Sequence, residues 1–427
     1  MLHPDIVGAG GRRDPKHRLA EAVSLARALP EMDVLYDAVV PLRTPSASKL
    51  FGKGKVQEIK DLIKNLEIEL LLIDGPLTPV QQRNLEKEWS VKILDRTSLI
   101  LEIFSDRAAT REGVLQVDLA ALSYQRTRLV RAWTHLERQR GGLGFVGGPG
   151  ETQIEADRRA IDEQVVRIKR QLDKVVKTRS LHRAARQKVP YPIVALVGYT
   201  NAGKSTLFNT LTGADVMAKD MLFATLDPTM RSVTLPDGPD VILSDTVGFI
   251  SDLPTELVAA FRATLEEVLD ADLILHVRDI SHPDTQAQGQ DVRDILEGLG
   301  ITDTQTSGMV EVWNKTDALE PAAAESVLSV AARRDDVVPV SALTGTGLKA
   351  LVAKIDERLR PMETEERLHL SFADGQALAW LHERALVQNT GADDNGLIAD
   401  VKWSEKQKAQ FLKEFSATLE TGSYVDS

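Results

Sequence analysis

At 427 residues the chain is long enough for two to four domains, each with its own core. Its 43% hydrophobic and 27% charged residues are ordinary for a globular protein, and the absence of cysteine excludes disulfides, thiol catalysis and thiolate metal sites. No apolar run reaches the roughly 18 residues of a membrane span, and Met1–Pro30 lacks an apolar signal core, so an unexported, cytoplasmic chain is expected.

Residues 1–106 read as a small α/β unit. Asp33–Val40 (DVLYDAVV), Leu66–Ile73 (LEIELLLI) and Val91–Leu94 predict strands. Val56–Leu66 and Thr78–Trp89 have helical spacing, and the alternation predicts a parallel sheet. Between them, Phe51-Gly52-Lys53-Gly54-Lys55 is either a simple basic turn or a loop that could hold an anion on its amides and lysines.

Residues 107–189 are basic. From Arg107 to Lys188 there are 18 Lys/Arg against 9 Asp/Glu, a net of +9, which leaves −20 for the rest of a chain whose total is −11. Charge alone fits a module facing a polyanion or a solvated helical surface. Leu115, Leu119, Leu122, Leu129, Trp133 and Leu136 form one apolar stripe, and Ile154, Ile161, Val165, Ile168, Leu172 and Val175 another. Six glycines between Gly141 and Gly150 break any helix between the two. The pattern predicts a long antiparallel helical hairpin with a glycine-rich tip, where Phe145 is the one aromatic able to stack on a base.

Residues 190–360 alternate strand and helix signals. Ile193–Val197, Val241–Leu243, Leu273–Val277, Val310–Trp313 and Val337–Val340 predict short buried strands, most of them ending beside a polar motif. That is the arrangement of a doubly wound, mostly parallel sheet with its ligand at the carboxyl ends of the strands. Residues 361–427 predict a small, acidic α+β domain.

The motifs define a guanine-nucleotide site. Gly198-Tyr199-Thr200-Asn201-Ala202-Gly203-Lys204-Ser205 fits G-x-x-x-x-G-K-[ST], a phosphate loop that opens a helix near Lys204, with Thr206 a further candidate nucleotide contact. Its glycines let backbone amides turn inward on phosphate oxygens, Lys204 supplies charge to the β- and γ-phosphates, and the Ser205 hydroxyl is a direct Mg²⁺ ligand. In Asp245-Thr246-Val247-Gly248, Asp245 is expected to hold Mg²⁺ through water and the Gly248 amide to meet the γ-phosphate. Lys204, Asp245 and Gly248 are therefore the candidate catalytic groups. Asn314-Lys315-Thr316-Asp317 selects the base, because the Asp317 carboxylate can accept both N1–H and the N2 amine of guanine. Asn314 is expected to brace the loop and contact the base, Lys315 to cover its face, and the Ala342 amide of Ser341-Ala342-Leu343 to meet O6. Between phosphate loop and Asp245, Phe223, Ala224, Thr225, Leu226 and Asp227 are candidate nucleotide contacts. Thr225 is the favoured second direct Mg²⁺ ligand, with Thr229 its rival.

A glutamine that orients the attacking water often lies just past the glycine of the second motif. Phe249 stands there, followed by Ile250, and neither can orient water, so intrinsic hydrolysis is expected to be slow and to need completion from outside. Asn201 is a candidate ligand for a monovalent cation such as K⁺.

On Gly141–Arg159 (GGLGFVGGPGETQIEADRR), Gly198–Ser205 (GYTNAGKS), Leu222–Thr229 (LFATLDPT) and Asp245–Phe249 (DTVGF), the chain resembles the HflX family of translation-associated GTPases. The glycine-rich run with its GETQ-x-E-x-DRR sequel is the most specific of these, and Phe249 matches the hydrophobic residue that members carry there. The likeness runs from about Asp33 to Leu359 and is weakest after Pro361. The resemblance implies a P-loop GTPase that binds the large ribosomal subunit (50S), its N-terminal unit and hairpin reaching rRNA near the peptidyl transferase centre. It also implies splitting or rescue of ribosomes under stress, with hydrolysis of GTP to GDP stimulated by the ribosome. A monomer is expected. Two other readings stand beside it: a GTPase of large-subunit assembly, and a signalling or scaffold protein that binds another protein through the hairpin.

Overall fold

The computed structural model describes residues 1–6, 13–139, 149–186, 191–214, 222–223, 229–235, 240–252, 268–269, 271–301, 308–360, 363–384, 386–393 and 396–419. They form two compact units, Met1–Asp356 and Glu357–Ser427.

The first unit opens with a four-stranded parallel sheet, β1 (Leu2–Ile6), β2 (Ala38–Leu42), β3 (Leu70–Ile73) and β4 (Lys92–Asp95), in the order β2-β1-β3-β4. Helices α1 (Pro15–Ala26), α2 (Lys53–Asn65), α3 (Pro79–Trp89) and α4 (Arg96–Arg107) accompany it. Pro79 starts α3 behind a reciprocal cap in which Thr78 and Gln81 satisfy each other's backbone amides. The sequence reading missed β1 and α1. Pro4 and Asp5 disguise the strand, yet β1 pairs with β3 only at Leu2, so most of it has a single neighbour, as an edge strand has.

Three boundaries differ from expectation. The second strand begins at Ala38, five residues late, because the chain start sets it: Ala38 N donates to Met1 O at 3.1 Å and the Met1 ammonium donates to Tyr36 O at 2.7 Å. The third begins at Leu70, since Leu66 closes α2 and Glu67 turns the chain at φ 50°. The Phe51–Lys55 segment is a helix start, with Phe51 buried, Gly52 at the cap and Lys55 paired to Glu58 at 2.7 Å.

Helices α5 (Arg111–Gln139) and α6 (Pro149–Arg186) then run for 29 and 38 residues and pack on each other. Ile161, Val165, Ile168, Leu172 and Val175 form the less exposed stripe of α6, as their spacing predicts, and Arg126 of α5 pairs with Asp162 of α6 at 2.9 Å. Gly141–Gly148, most of the predicted tip, lies outside the described residues.

The chain next builds a six-stranded sheet from β5 (Ile193–Gly198), β6 (Thr229–Val233), β7 (Val241–Asp245), β8 (Leu273–Asp279), β9 (Val310–Asn314) and β10 (Val337–Pro339). Its order is β10-β9-β8-β5-β7-β6, and only β6 runs antiparallel to its neighbour. Helices α7 (Lys204–Thr212), α8 (Thr285–Gly298), α9 (Pro321–Ala331) and α10 (Leu348–Leu359) flank it. The adjacent strands β7, β5, β8 and β9 all end at one edge, so Asp245, Gly198, Asp279 and Asn314 gather there. One apolar core runs from Leu19, Ala22 and Phe104 through Val197, Phe249 and Val292, joining the two sheets within the unit. No described helix is long and apolar enough to cross a membrane.

The second unit is an antiparallel sheet, β11 (Glu363–Leu370), β12 (Val387–Asp393) and β13 (Gly396–Ser404), in the order β11-β13-β12. Helices α11 (Gly375–Glu383) and α12 (Glu405–Leu419) cover it around Trp380, Leu381, Trp403 and Phe411. It is the α+β arrangement expected.

Candidate nucleotide-binding site

Strand β5 delivers the chain into a loop that backbone geometry, more than side chains, forces into shape. Gly198 has φ 155°, and a Cβ there would lie 2.2 Å from Val277 O on β8. Gly203 has φ 89°, and its Cβ would lie 2.3 Å from Asn314 Nδ2. No other residue fits either place. Asn201 takes φ 58°, which asparagine tolerates better than most residues. Helix α7 starts at Lys204, so its amide end faces the loop's interior. The Lys204 ammonium is buried and donates to Gly198 O at 3.1 Å and Tyr199 O at 2.9 Å. Burial pushes its pKa down to about 8, against the pull of Asp245.

Ser205 Oγ donates to Asp245 Oδ2 at 2.7 Å, which places two hard oxygen donors side by side, a set suited to Mg²⁺. The segment after Asp245 runs beside the phosphate loop. Thr200 N donates to Phe249 O at 2.7 Å, and Phe249 N to Gly198 O at 3.1 Å. Gly248 is thereby pressed on the loop, and a Cβ on it would lie 2.9 Å from Lys204 Nζ. Thr246 Oγ1 is tied to Leu196 O at 2.6 Å, while Val247, Phe249 and Ile250 bury their side chains in the core.

The base-side motif is anchored to the same loop. Asn314 Nδ2 donates to Ala202 O at 2.8 Å, and Asn314 Oδ1 accepts the Ala342 amide at 2.9 Å. One side chain thus fixes phosphate loop, NKTD turn and Ser341–Leu343 turn together. The Ala342 amide, expected to meet guanine O6, points at Asn314 here. Lys315, at φ 63°, pairs with Asp279 at 2.9 Å, and Ser341 Oγ donates to the exposed Asp317 carboxylate. Asp279 had no place in the sequence reading.

Some candidates go elsewhere. The Phe223 ring packs edge-on against Phe104 at 4.5 Å, in the core. Leu343 turns outward, 79% exposed. Thr206 sits half-buried on α7, and Thr229 opens β6 opposite Asp245. Ala224, Thr225, Leu226 and Asp227 lie outside the described residues.

Tyr199 also turns away, into a buried polar seam that the sequence reading missed. Its hydroxyl donates to Glu21 of α1 at 2.5 Å and accepts from Ser251 N at 2.6 Å and Arg13 at 2.8 Å. Glu21 accepts from Ser251 Oγ at 2.7 Å and pairs with Arg96, which pairs in turn with Asp74 at 2.7 Å, and Asp74 with His3 at 2.7 Å. Arg18 pairs with Asp252. Burial alone would raise the Glu21 carboxyl, but Arg96 and the hydroxyls of Tyr199 and Ser251 outweigh it and hold its pKa below the usual range. Arg96, Tyr199 and Ser251 lie 75, 178 and 230 residues from Glu21 in the chain, so no local pattern announces them.

A mostly parallel sheet with a glycine-bounded phosphate loop, an Asp–Thr–Val–Gly turn beside it and an Asn–Lys–Thr–Asp turn across it defines a P-loop guanosine triphosphatase. Profiles of known families match in the same order: "GTP-binding GTPase N-terminal" at 16–105, "GTP-binding GTPase Middle Region" at 107–186, "50S ribosome-binding GTPase" at 193–315 and "HflX C-terminal domain" at 326–419. The chain is 47% identical to the GTPase HflX of Magnetococcus marinus, over 91% of this chain and 89% of that one. It is 42% identical to the GTPase HflX of Escherichia coli, over 84% and 83%. A GTP-binding protein of Sulfolobus solfataricus, solved with GDP, is similar at 23% identity and a TM-score of 0.45, over 84% and 97%. The chain belongs to the HflX family of GTPases, and it is a GTP hydrolase with a ribosome-binding GTPase domain.

Proposed function

We propose that the chain is a GTP-controlled factor that enters the large ribosomal subunit through its basic hairpin and splits or rescues ribosomes under stress. The observation that carries this reading is the +9 stretch Arg107–Lys188, which folds as two long helices and leads directly into the phosphate-loop strand. A cationic arm of this length suits insertion among rRNA phosphates, where contact depends on charge and shape.

In this reading Lys204 grips the β- and γ-phosphates and the Gly248 amide meets the γ-phosphate. Ser205 and, through water, Asp245 hold Mg²⁺, which when bound neutralises phosphate charge. Thr225 would supply a further oxygen ligand to it in the GTP state. Asp317 reads guanine N1–H and N2, and Asn201 offers an oxygen to K⁺ near the phosphates. GTP loading engages Thr225 and the Gly248 amide, and this sets affinity for the ribosome. Phe249 offers no hold on water, so turnover is slow until the large subunit completes the site.

The decisive measurement is the GTPase rate with and without purified 50S subunits. The expected outcome is strong stimulation that disappears when Gly141–Gly150 is shortened, with basal GTP binding intact. Stimulation that survives the shortening would remove the hairpin from this account. Density-gradient profiles should show 70S particles converted to free subunits by the GTP-bound protein; association with immature large subunits alone would favour an assembly role. Equal turnover in matched K⁺ and Na⁺ buffers would remove K⁺.

A further inference from the structure

Hydrolysis of the terminal phosphate needs a group that holds the attacking water. Phe249, where a glutamine often stands, is 2% exposed, with its side chain in the core and its backbone bonded on both sides to the phosphate loop. Another group must serve. Most hydroxyls around the loop are already engaged: Ser205 on Asp245, Thr246 on Leu196 O, Ser251 and Tyr199 on Glu21.

Thr200 differs. The residue is 6% exposed, and its Oγ1 has no hydrogen-bond partner among the described residues. A buried hydroxyl left so carries a desolvation cost that a partner in the site would relieve. Its position points to which partner. A Cβ built on Gly248 would lie 2.8 Å from Thr200 Cγ2 and 2.9 Å from Lys204 Nζ. The Thr200 methyl, Gly248 and the Lys204 ammonium therefore meet in one small volume, which the proposed function sets against the γ-phosphate, and the Thr200 hydroxyl is carried on the same Cβ.

We propose that Thr200 Oγ1 holds the nucleophilic water, accepting a hydrogen bond from it while donating its own proton toward a γ-phosphate oxygen, and so replaces the missing glutamine. The water oxygen forms the new bond to γ-phosphorus. The bond to the β–γ bridging oxygen breaks, its electron pair staying on GDP, and the water's proton ends on the released phosphate. Thr200 keeps its own proton throughout. The valine isostere keeps Cγ2 against Gly248 and removes only the hydroxyl.

The test compares Thr200→Val and Thr200→Ser with the parent in single-turnover GTP hydrolysis and in GDP binding by calorimetry. Loss of one hydrogen bond to a reacting group should cost Thr200→Val about 10- to 100-fold in rate. Its GDP affinity should stay within about threefold, because GDP lacks the γ-phosphate, and Thr200→Ser should regain most of the rate. Parental turnover in Thr200→Val would overturn the assignment. So would a parallel loss of GDP affinity in Thr200→Val, or a Thr200→Ser rate as low as the valine's; either makes the residue a loop support only.

Discussion

The phosphate loop and the Glu21 seam lie within hydrogen-bond distance of each other through Tyr199, yet they are built in opposite ways. The loop is backbone: two glycines that no side chain can replace, a helix start and a strand end, all within Gly198–Ser205. The seam is charge: the buried Arg96 and Asp74 meet the half-buried Glu21 and Arg13 from the chain start. Apart from its tie to Asn314, a loop of this kind keeps its shape when a side chain is altered. A buried ion network fails at once when one partner is removed, because the others are left charged in a poor solvent. The ligand site is thus robust, and the join beneath it depends on every member.

The largest expected effect tests the loop's one indispensable side chain. Lys204→Ala should lower kcat/KM for GTP by about 10³-fold or more, with little change in thermal unfolding, because it removes phosphate contact and not fold. Glu21→Ala should do the reverse. Losing the shared acceptor of Arg96, Tyr199 and Ser251 should lower the stability of the first unit by about 3 kcal/mol or more, read by denaturant unfolding. GDP affinity should meanwhile move by less than about threefold. A Glu21→Ala protein as stable as the parent would end the contrast between the two regions.

A smaller effect is expected on the base side. Asp317→Asn should weaken GTP by about 10- to 100-fold and shift preference toward xanthosine triphosphate, whose extra carbonyl accepts a donor. Unchanged discrimination in competition binding would mean that the base is read elsewhere. The smallest is a pH effect. Lys204 sits near 8 in the free protein, and phosphate binding favours its charged form. Below that pH the ammonium is already present and GDP affinity should be flat. Above it binding must take up a proton, so Kd should climb toward about tenfold per pH unit. Calorimetry near pH 8.5 in buffers of different ionisation heat reads the uptake; an equal apparent enthalpy in each buffer would show that Lys204 is charged throughout.

Where these motifs sit in the fold was legible because each is short and local. Gly198, Lys204, Ser205, Asp245, Gly248 and Asn314 are where spacing put them, since each closes a strand or opens a helix whose apolar run is plain. The α6 stripe from Ile161 to Val175 was legible for the same reason, while the side chains of Trp133, Leu136 and Ile154 lie outside the described residues. Less was visible where the decisive partner is remote. Phe223 reads as a ligand contact until Phe104 arrives from 119 residues away to stack on it. Asp279 looks like the end of a strand until the fold sets Lys315 beside it. Strand β1 is unreadable alone, because Pro4 argues against it and only β2 supplies the ladder.

The sequence by itself determined the guanine-nucleotide chemistry, the order of the modules and the basic hairpin, since these rest on residue types at fixed short spacings. It is the folded chain that sets where Tyr199 turns, which hydroxyls of the site are already engaged, and how α1 grips the segment after Gly248. The reason is physical: a backbone turn is fixed by its own few residues, whereas a buried charge or an unpartnered hydroxyl is defined by whatever the rest of the chain brings to it.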